Sequence, residues 1–171
     1  MADKLSIETS RMLLRVTEPS DIDLYVKLLT NPDVVRFLPT GKPFGHEYIC
    51  SYLEQKLAHW EKGFGTFTVA LRDQPHIVIG YAGVEQLPDS PYHDIRYGLL
   101  PEFQGFGYAL EAAKAAMTFA LDNHDLDEVF GVAVKANLAS LRILKKLGMS
   151  PSSQTLYDSD DLVTLSLKKS L

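Results

Sequence analysis

Residues 94–124 read DIRYGLLPEFQGFGYALEAAKAAMTFALDNH, and the rest of the chain is organised around this stretch. Its first seven residues alternate between two faces, with Ile95 and Leu99 on the same one, which is the period of a β-strand. Pro101 ends that strand because proline has no N–H to donate to a neighbouring strand. A glycine-rich turn over residues 104–109 follows. The run after it is apolar almost all round, which predicts a largely buried helix.

The glycine-rich turn lies directly before the predicted helix, where a chain can bind an anion. The first N–H groups of a helix have no partner within it, its dipole is positive there, and glycines let a phosphate approach the backbone. Two known phosphate-binding motifs do not match. The nucleoside-triphosphate loop needs Gly-Lys-Ser/Thr, but Tyr108 follows Gly107, and the dinucleotide fingerprint needs a small third residue where Leu110 stands. The turn therefore predicts an anion site that is neither of these two.

Separate blocks of the sequence resemble one family. Gln104, Gly107 and Ala109 give the pattern Gln-x-x-Gly-x-Ala, which resembles the acyl-coenzyme A signature of the GNAT superfamily of N-acyltransferases. Residues 132–149 read VAVKANLASLRILKKLGM and resemble the downstream Asn-x-x-Ser helix of the same superfamily. The opening segment 9–15, TSRMLLR, is similar to the first strand of its RimJ/RimL-type branch, which includes N-terminal acetyltransferases of ribosomal proteins.

Length, charge and cysteine content restrict the remaining possibilities. A chain of 171 residues with 46% hydrophobic residues suits one globular domain, which we expect to span residues 1–171. A net charge of −5 argues against a nucleic-acid-binding surface and mildly favours a neutral or cationic substrate such as an amine. Cys50 is the only cysteine, so no internal disulfide can form and a reducing compartment fits.

The sequence predicts a cytoplasmic protein without a membrane segment or a metal site. Residues 1–4 carry no apolar secretory core, and no run reaches the roughly 20 apolar residues that a membrane-spanning helix needs. The five histidines show no metal-ligand spacing. We expect no nucleic-acid partner, and either a monomer or a homodimer.

Hydrophobic periodicity predicts a mixed α/β fold. We expect a central sheet of about seven strands, flanked by about four to five helices. The strands at residues 94–100 and 128–134 are separated by a helix, so they should be parallel and joined by a right-handed crossover. The other predicted strands are 7–16, 66–72, 77–85, 155–158 and 162–167, with turns at 73–75 and 159–161. The other predicted helices are one capped by Ser20, a short one from Asn31 to Leu38 before a loop at 39–43, and two over residues 45–62 and 137–147.

The resemblance implies how this sheet is used. In the family the two parallel middle strands splay apart, and the pantetheine arm of acetyl-coenzyme A lies in the gap. Gly98 fits this arrangement, because a glycine inside a strand often marks a bulge or a close backbone approach; a simple weak point in the sheet is the alternative. Backbone N–H groups of the turn would hold the pyrophosphate, and an N–H of the strand edge would polarise the acetyl carbonyl. The implied coenzyme-binding residues are Leu99, Leu100, Gln104, Gly105, Phe106, Gly107, Tyr108, Ala109 and Asn137.

The sequence also offers candidate catalytic side chains. By resemblance, Asn137 contacts the pantetheine and Ser140 donates a hydrogen bond to the sulfur of the leaving group; a helix N-cap and a bond within its own helix are the respective alternatives. Glu85, at the end of an apolar strand, is a candidate base for the attacking amine or else a solvated charge. Tyr157 is a second candidate acid. Arg96 departs from the small or apolar residue usual in the family, so it either lines or blocks the acceptor pocket.

These features together predict an acetyl-coenzyme A-dependent N-acetyltransferase. The amine would attack the thioester directly in a ternary complex, without a covalent enzyme intermediate. By resemblance to the branch, the acceptor is a protein N-terminal α-amine. Its pKa of about 8 leaves more of it neutral at pH 7 than a lysine, whose pKa is roughly 10.4. Two alternatives stay open: acetylation of a small polyamine or antibiotic amine, and a coenzyme A-binding sensor module that has lost catalysis.

Overall fold

The computed structural model describes residues 4–38 and 41–169, which form a mixed α/β sheet covered by helices. The strands are β1 Ser6–Glu8, β2 Met12–Val16, β3 Thr66–Leu71, β4 Gln74–Gln86, β5 His93–Leu99, β6 Glu128–Val134, β7 Ser150–Pro151 and β8 Leu162–Lys168. They form an eight-stranded sheet in the order β1-β2-β3-β4-β5-β6-β8-β7. Neighbours are antiparallel except β5 and β6, which are parallel. The predicted fold class is confirmed, with one strand more than expected; the prediction that the domain spans residues 1–171 stays a prediction.

The α-helices of the described residues are α1 Ile22–Leu29, α2 Pro32–Val35, α3 His46–His59, α4 Tyr108–Asn123 and α5 Leu138–Lys146. The predicted cap of α2 is confirmed, since the Asn31 side chain accepts hydrogen bonds from the N–H groups of Asp33 and Val34 and Pro32 follows it. α2 ends earlier than expected, and two residues of the loop predicted after it, 39 and 40, lie outside the described residues.

The helices pack on both faces of the sheet. α4 contributes small buried side chains such as Ala113 and Ala116 to a core that includes Leu99, whereas α1, α2 and α3 enclose a second core that includes Leu100. Because successive residues of a strand point to opposite faces, these two leucines place the two cores on opposite sides of β5. A ligand in the sheet would therefore have α4 on one side and α1 to α3 on the other.

β5 and β6 separate soon after they meet. Among the described residues they share one bridge pair, Asp94 with Phe130. β5 is paired with β4 along its whole length, and β6 is paired in the same way with β8. Each strand is thus bonded on its outer side, and the inner sides part towards Leu99 and Val134. The splay that the resemblance implied is present.

The N-terminal strand prediction was wrong. Residues 7–16 form the hairpin of β1 and β2 rather than one strand, because Thr9 closes a tight turn. Its N–H donates to the Met12 carbonyl at 2.9 Å, and its Oγ1 accepts from the Met12 N–H at 3.0 Å. This turn places Arg11 on the protein surface at one end of the sheet, where its side chain donates to Glu111 of α4.

Further boundaries also differ from the prediction. Ser20 does not cap α1; it lies inside the short 3-10 helix Pro19–Asp21, and Glu18 and Asp21 form the capping box there. Residues 155–158 form an irregular segment rather than a strand, and in it the hydroxyl of Tyr157 donates to Asp94 Oδ2 at 2.7 Å. β8 is present as predicted, but its hairpin partner is β7. β4 begins at Gln74, three residues earlier than predicted, so the turn before it covers residues 72–73 rather than 73–75.

Candidate active site

The edge of β5 presents backbone groups to the gap. In an antiparallel pair, successive residues alternate between bonding to the neighbour and pointing away from it. The N–H of Leu100 donates to the carbonyl of Ile79 on β4 at 2.9 Å. The backbone groups of Leu99 and Tyr97 therefore face β6 instead. Leu99 has an N–H that can meet a ligand in the gap, whereas the N–H of Leu100, predicted beside it, is already used by the sheet.

The glycine-rich turn has a shape that depends on its glycines. Gly105 and Gly107 have φ angles of 86° and 81°, a region that disfavours other residues. A Cβ built on Gly105 would meet no atom of the described residues within 4 Å, so the space outside the turn is open. α4 begins at Tyr108, and its first internal hydrogen bond runs from the Glu111 N–H to the Gly107 carbonyl at 3.2 Å. The N–H groups before it, including that of Ala109, have no partner within the helix.

This turn fits the pyrophosphate of coenzyme A. Unpartnered N–H groups, the positive end of a 16-residue helix and open space over the glycine meet what an anionic diphosphate requires. Gln104 donates through Nε2 to the Leu99 carbonyl at 3.1 Å, which ties the turn to the edge of β5. Because a primary amide has two N–H donors, the second can still serve a ligand. The side chain of Phe106 is 60% exposed beside the turn.

Arg11 also touches the turn, which the sequence did not predict. Its Nη1 donates to the Phe106 carbonyl at 2.8 Å, and its Nε donates to Glu111 Oε1 at 2.8 Å. Its guanidinium group lies 4.4 Å from the ring centroid of Tyr108. The segment around Arg11 resembled a family strand, but nothing in its local pattern indicated a partner about a hundred residues away.

Asn137 and Ser140 lie together at the start of α5. The Asn137 Oδ1 accepts from the Ser140 N–H at 3.2 Å, so the N-cap interpretation of Asn137 is confirmed. The Ser140 Oγ lies 2.7 Å from the hydroxyl of Tyr97 on β5. Burial raises the pKa of Tyr97 to about 12, against a smaller opposing effect of its hydrogen bond with Ser140. Tyr97 therefore keeps its proton at neutral pH and bridges the two sides of the gap.

The face of the sheet that α1 to α3 cover carries a cluster of tyrosines. The ring of Tyr25 lies 5.7 Å from the rings of both Tyr52 and Tyr81. The ammonium group of Lys56 lies 4.5 Å from the Tyr52 ring centroid and 5.3 Å from that of Tyr81. A Cβ on Gly98 would come within 2.7 Å of the Tyr81 ring, so the absence of a side chain at Gly98 makes room for that ring. Gly98 therefore serves a close approach by a side chain.

Glu85 is the centre of a buried ion-pair network next to these tyrosines. Lys56 Nζ lies 2.7 Å from its Oε2 and Arg96 Nη1 lies 3.2 Å from its Oε1, while the hydroxyl of Thr66 also donates to it. Burial alone would raise the pKa of Glu85, but the two positive charges and the hydrogen bonds lower it to about 2. The interpretation of Glu85 as a solvated charge is wrong. A base at neutral pH needs a pKa near 7, so this environment does not favour that role either.

Arg96 continues the network across β5. Its Nε lies 3.0 Å from Asp94 Oδ1, and the hydroxyl of Tyr157 donates to Asp94 Oδ2 at 2.7 Å. Burial would lower the pKa of Arg96, but Asp94 and Glu85 more than offset it, so the guanidinium stays charged and paired. Burial and the neighbouring Asp94 raise the pKa of Tyr157, which makes it a weaker acid than an exposed tyrosine. The geometry thus places Arg96 and Tyr157 in a network of contacts around Glu85 and Asp94.

Comparisons with known proteins identify the family of this chain. The family profile described as "Acetyltransferase (GNAT) domain" matches residues 11–150. The chain belongs to the GNAT acetyltransferase family. It is 27% identical over 146 residues to the uncharacterized N-acetyltransferase YnaD of Bacillus subtilis, covering 85% of this chain and 82% of that protein. A second Bacillus subtilis protein, YkkB, is 26% identical over 157 residues, covering 87% of each. Membership makes the protein an acetyl-coenzyme A-dependent N-acetyltransferase.

Solved structures share the fold of this GNAT acetyltransferase. An acetyltransferase from Agrobacterium tumefaciens superimposes with a TM-score of 0.86 at 20% identity, covering 98% of this chain and 96% of that one. RimL, a ribosomal L7/L12 α-N-protein acetyltransferase solved with coenzyme A, gives 0.78 at 17% identity, with 96% and 98% covered. The ribosomal-protein-S5-alanine acetyltransferase of Vibrio fischeri gives 0.74 at 18% identity, with 96% and 97% covered.

None of the helices within residues 4–38 and 41–169 is both long and apolar enough to cross a membrane. The same residues contain no group of three or more histidine, cysteine, aspartate or glutamate side chains arranged to hold a metal ion.

Proposed function

We propose that this enzyme transfers the acetyl group of acetyl-coenzyme A to a protein N-terminal α-amine by direct attack in a ternary complex. The observation that carries the proposal is the gap between β5 and β6, which opens beyond the Asp94–Phe130 pair and ends beside the glycine-rich turn. Acetyl-coenzyme A bound in this gap would have its diphosphate on the turn. Its carbonyl carbon would be accessible from the side of α1 and α3.

The edge of β5 and the start of α5 would act on opposite ends of the reacting thioester. The N–H of Leu99 would donate to the acetyl oxygen and stabilise the negative charge that develops there. The Ser140 hydroxyl, oriented by Tyr97, would donate to the sulfur as it leaves. A thiol has a pKa of roughly 8.5, so partial stabilisation of the thiolate is enough near neutral pH. Asn137 would contact the pantetheine arm while it caps α5.

The acceptor would lose its proton without a strong side-chain base. An α-amine with a pKa of about 8 is partly neutral at pH 7, so water can take the proton before attack. Glu85 would instead hold Lys56 and Arg96 on the face of the sheet that carries Tyr52 and Tyr81, which is where we place the acceptor. This division of roles predicts that the rate rises with pH through the pKa of the acceptor amine rather than through that of a carboxylate.

The choice of a protein α-amine rests on the names of structural neighbours and on the exposed tyrosines of this chain. RimL is named as a ribosomal L7/L12 α-N-protein acetyltransferase, and the Vibrio fischeri neighbour is named as a ribosomal-protein-S5-alanine acetyltransferase. On this chain, Tyr48 is 49% exposed and its ring lies 6.1 Å from that of Tyr52, so an aromatic strip leads from solvent towards Gly98. Such a strip suits an extended peptide end, whose backbone and first side chains can lie along it.

A thiol-release assay with matched acceptors tests the proposal. The panel holds peptides with a free N-terminus, the same peptides with a blocked N-terminus and one internal lysine, and a polyamine. We expect release from acetyl-coenzyme A with the free N-termini, and mass spectrometry should place the acetyl group on the α-amine. Release with the polyamine alone would support the small-molecule alternative. Tight coenzyme binding without amine-dependent release would support the sensor module.

Initial-rate kinetics tests the direct attack. Velocities measured at several concentrations of both substrates should give intersecting lines in double-reciprocal plots, as expected for a ternary complex. Parallel lines and a burst of thiol without acceptor would show a covalent acetyl-enzyme and overturn this part of the proposal.

A further inference from the structure

We propose that Arg11 is a positioning residue for the coenzyme: it holds the glycine-rich turn in the conformation that presents its N–H groups to the diphosphate. The inference rests on the proposed coenzyme site and adds to it a residue from the other end of the chain. Arg11 would act through the turn rather than by touching the ligand.

The hydrogen bond from Arg11 to the turn fixes the direction of one peptide group. Arg11 Nη1 donates to the Phe106 carbonyl at 2.8 Å. Because the carbonyl and the N–H of a trans peptide point in opposite directions, the N–H of Gly107 must then point away from Arg11. The same guanidinium group lies 4.4 Å from the ring centroid of Tyr108, and a Cβ added at Gly107 would lie 3.4 Å from its Nη2. Arg11 therefore bonds to Phe106, packs on Tyr108 and lies close to Gly107 between them.

Glu111 holds Arg11 in this place. Its carboxylate accepts hydrogen bonds from the Arg11 Nε at 2.8 Å, the Arg11 N–H at 3.1 Å and the Thr9 hydroxyl at 2.6 Å. Burial would raise the pKa of Glu111, but these bonds lower it, so the carboxylate stays charged. A negative charge in the first turn of α4 competes with an anionic ligand for the positive helix end. The positive charge of Arg11 offsets the charge of Glu111, and Glu111 in turn orients the planar guanidinium of Arg11.

Substitutions at positions 11 and 111 distinguish a positioning role of Arg11 from an effect of its charge alone. A lysine at position 11 would keep the positive charge but could not contact Phe106 and Glu111 with one planar fork. Replacing Glu111 with glutamine would remove a negative charge near the diphosphate, which on charge alone should tighten binding. If Glu111 instead anchors Arg11, the same change should weaken binding.

Coenzyme A binding by isothermal titration tests the inference, with Arg36→Gln as the matched control. Arg36 is an exposed arginine directly after α2, and its guanidinium lies 4.6 Å from the ring centroid of its neighbour Phe37. We expect Arg11→Gln and Arg11→Lys to weaken coenzyme A binding about tenfold or more. Arg36→Gln should stay within about twofold of wild type. Glu111→Gln should also weaken binding, and thermal unfolding should verify that every variant is folded.

A truncated donor separates this role from a general loss of structure. S-acetylpantetheine carries the thioester but no diphosphate, so Arg11→Gln should leave its kcat/KM within about twofold of wild type. An equal loss with both donors would overturn the inference, as would wild-type coenzyme A affinity in Arg11→Gln, full recovery in Arg11→Lys, or tighter binding by Glu111→Gln. If wild-type protein itself fails to bind coenzyme A, the proposed function fails, and the inference with it.

Discussion

The hydroxyl of Tyr97 on β5 lies 2.7 Å from the Oγ of Ser140 on α5, so a hydrogen bond connects the two sides of the gap. The same hydroxyl lies within 3.2 Å of the Ser140 carbonyl, to which it can donate. A phenol has one proton to donate. When that proton goes to the carbonyl, the proton of the serine hydroxyl is available either to the phenol oxygen or to a ligand in the gap.

Replacing Ser140 with alanine should slow turnover. The variant removes the proposed donor to the leaving sulfur, and a hydrogen bond to a charged group contributes about 1.5 to 3 kcal/mol. We therefore expect kcat to fall about tenfold to hundredfold at saturating acetyl-coenzyme A. Tyr97→Phe should have a smaller effect, because it removes the group that orients the donor but leaves the donor itself. Thiol release measures both variants.

Ser153→Ala serves as the control for these variants, since Ser153 is an exposed serine outside α5. It should keep the wild-type kcat. An unchanged kcat in Ser140→Ala would show that Ser140 plays no part in thiolate departure.

Gly107→Val should abolish coenzyme binding. Gly107 has a φ of 81°, so a β-branched residue would either strain the turn or change its shape, and its side chain would also press on Arg11. Isothermal titration with coenzyme A measures the effect. Gly41→Val is the matched control, because Gly41 also has a positive φ, of 64°, but lies outside the turn. Unchanged affinity in Gly107→Val would remove the turn from the coenzyme site.

The parts of the fold that sequence could predict are those encoded locally. Residues 94–100 alternate with the period of a strand, and a proline and two glycines mark where β5 ends and α4 begins. The cap at Asn137 is likewise a local feature, since Asn137 bonds to a group three residues away. Patterns of this kind also carried the family resemblance, which implied the splay between β5 and β6.

The parts that sequence could not predict depend on contacts between distant residues. Arg11 and Glu111 are 100 residues apart, and Tyr97 and Ser140 are 43 apart. Glu85 looked like a solvated charge or a base because its buried partner Lys56 lies 29 residues earlier, on a helix whose apolar face gave no sign of a buried ammonium. A strand-end carboxylate is exposed or buried according to what the fold brings next to it, and no local pattern records that.

Glu85→Gln should destabilise the protein strongly. Glu85 is buried with Lys56 and Arg96, and removing one member of a buried ion pair leaves the other charge uncompensated, at a cost of about 3 to 5 kcal/mol. Urea unfolding followed by circular dichroism measures the change. Glu54→Gln, at an exposed position of α3, should stay within about 0.5 kcal/mol of wild type. A stable Glu85→Gln protein that has lost activity at neutral pH would instead favour the role of Glu85 as a base.

Glu85 should also make the free energy of unfolding sensitive to acid. Its pKa is about 2 in the folded protein, against 4.5 for an unperturbed glutamate. The folded state therefore binds fewer protons than the unfolded state between these values, and stability falls as the pH is lowered through this window. Acid titration of the free energy of unfolding should show this fall in wild type. A slope of the same size in Glu85→Gln would assign the acid sensitivity to other groups.

His59 should make stability depend on pH in a higher range. Its Nδ1 lies 2.9 Å from the Phe64 carbonyl and its Nε2 accepts from the Gln86 N–H at 2.9 Å, an arrangement that requires the neutral ring with its proton on Nδ1. Burial is the main cause that lowers the pKa of His59 below its usual 6.5. Below about pH 6.5 the unfolded state binds the proton more readily, so the free energy of unfolding should decrease as the pH falls.

Urea midpoints measured from about pH 8 down to about pH 5 test the pH dependence that we assign to His59. His59→Gln should flatten the dependence, whereas His76→Gln, at an exposed position, should retain it. Identical slopes in wild type and His59→Gln would contradict the assignment.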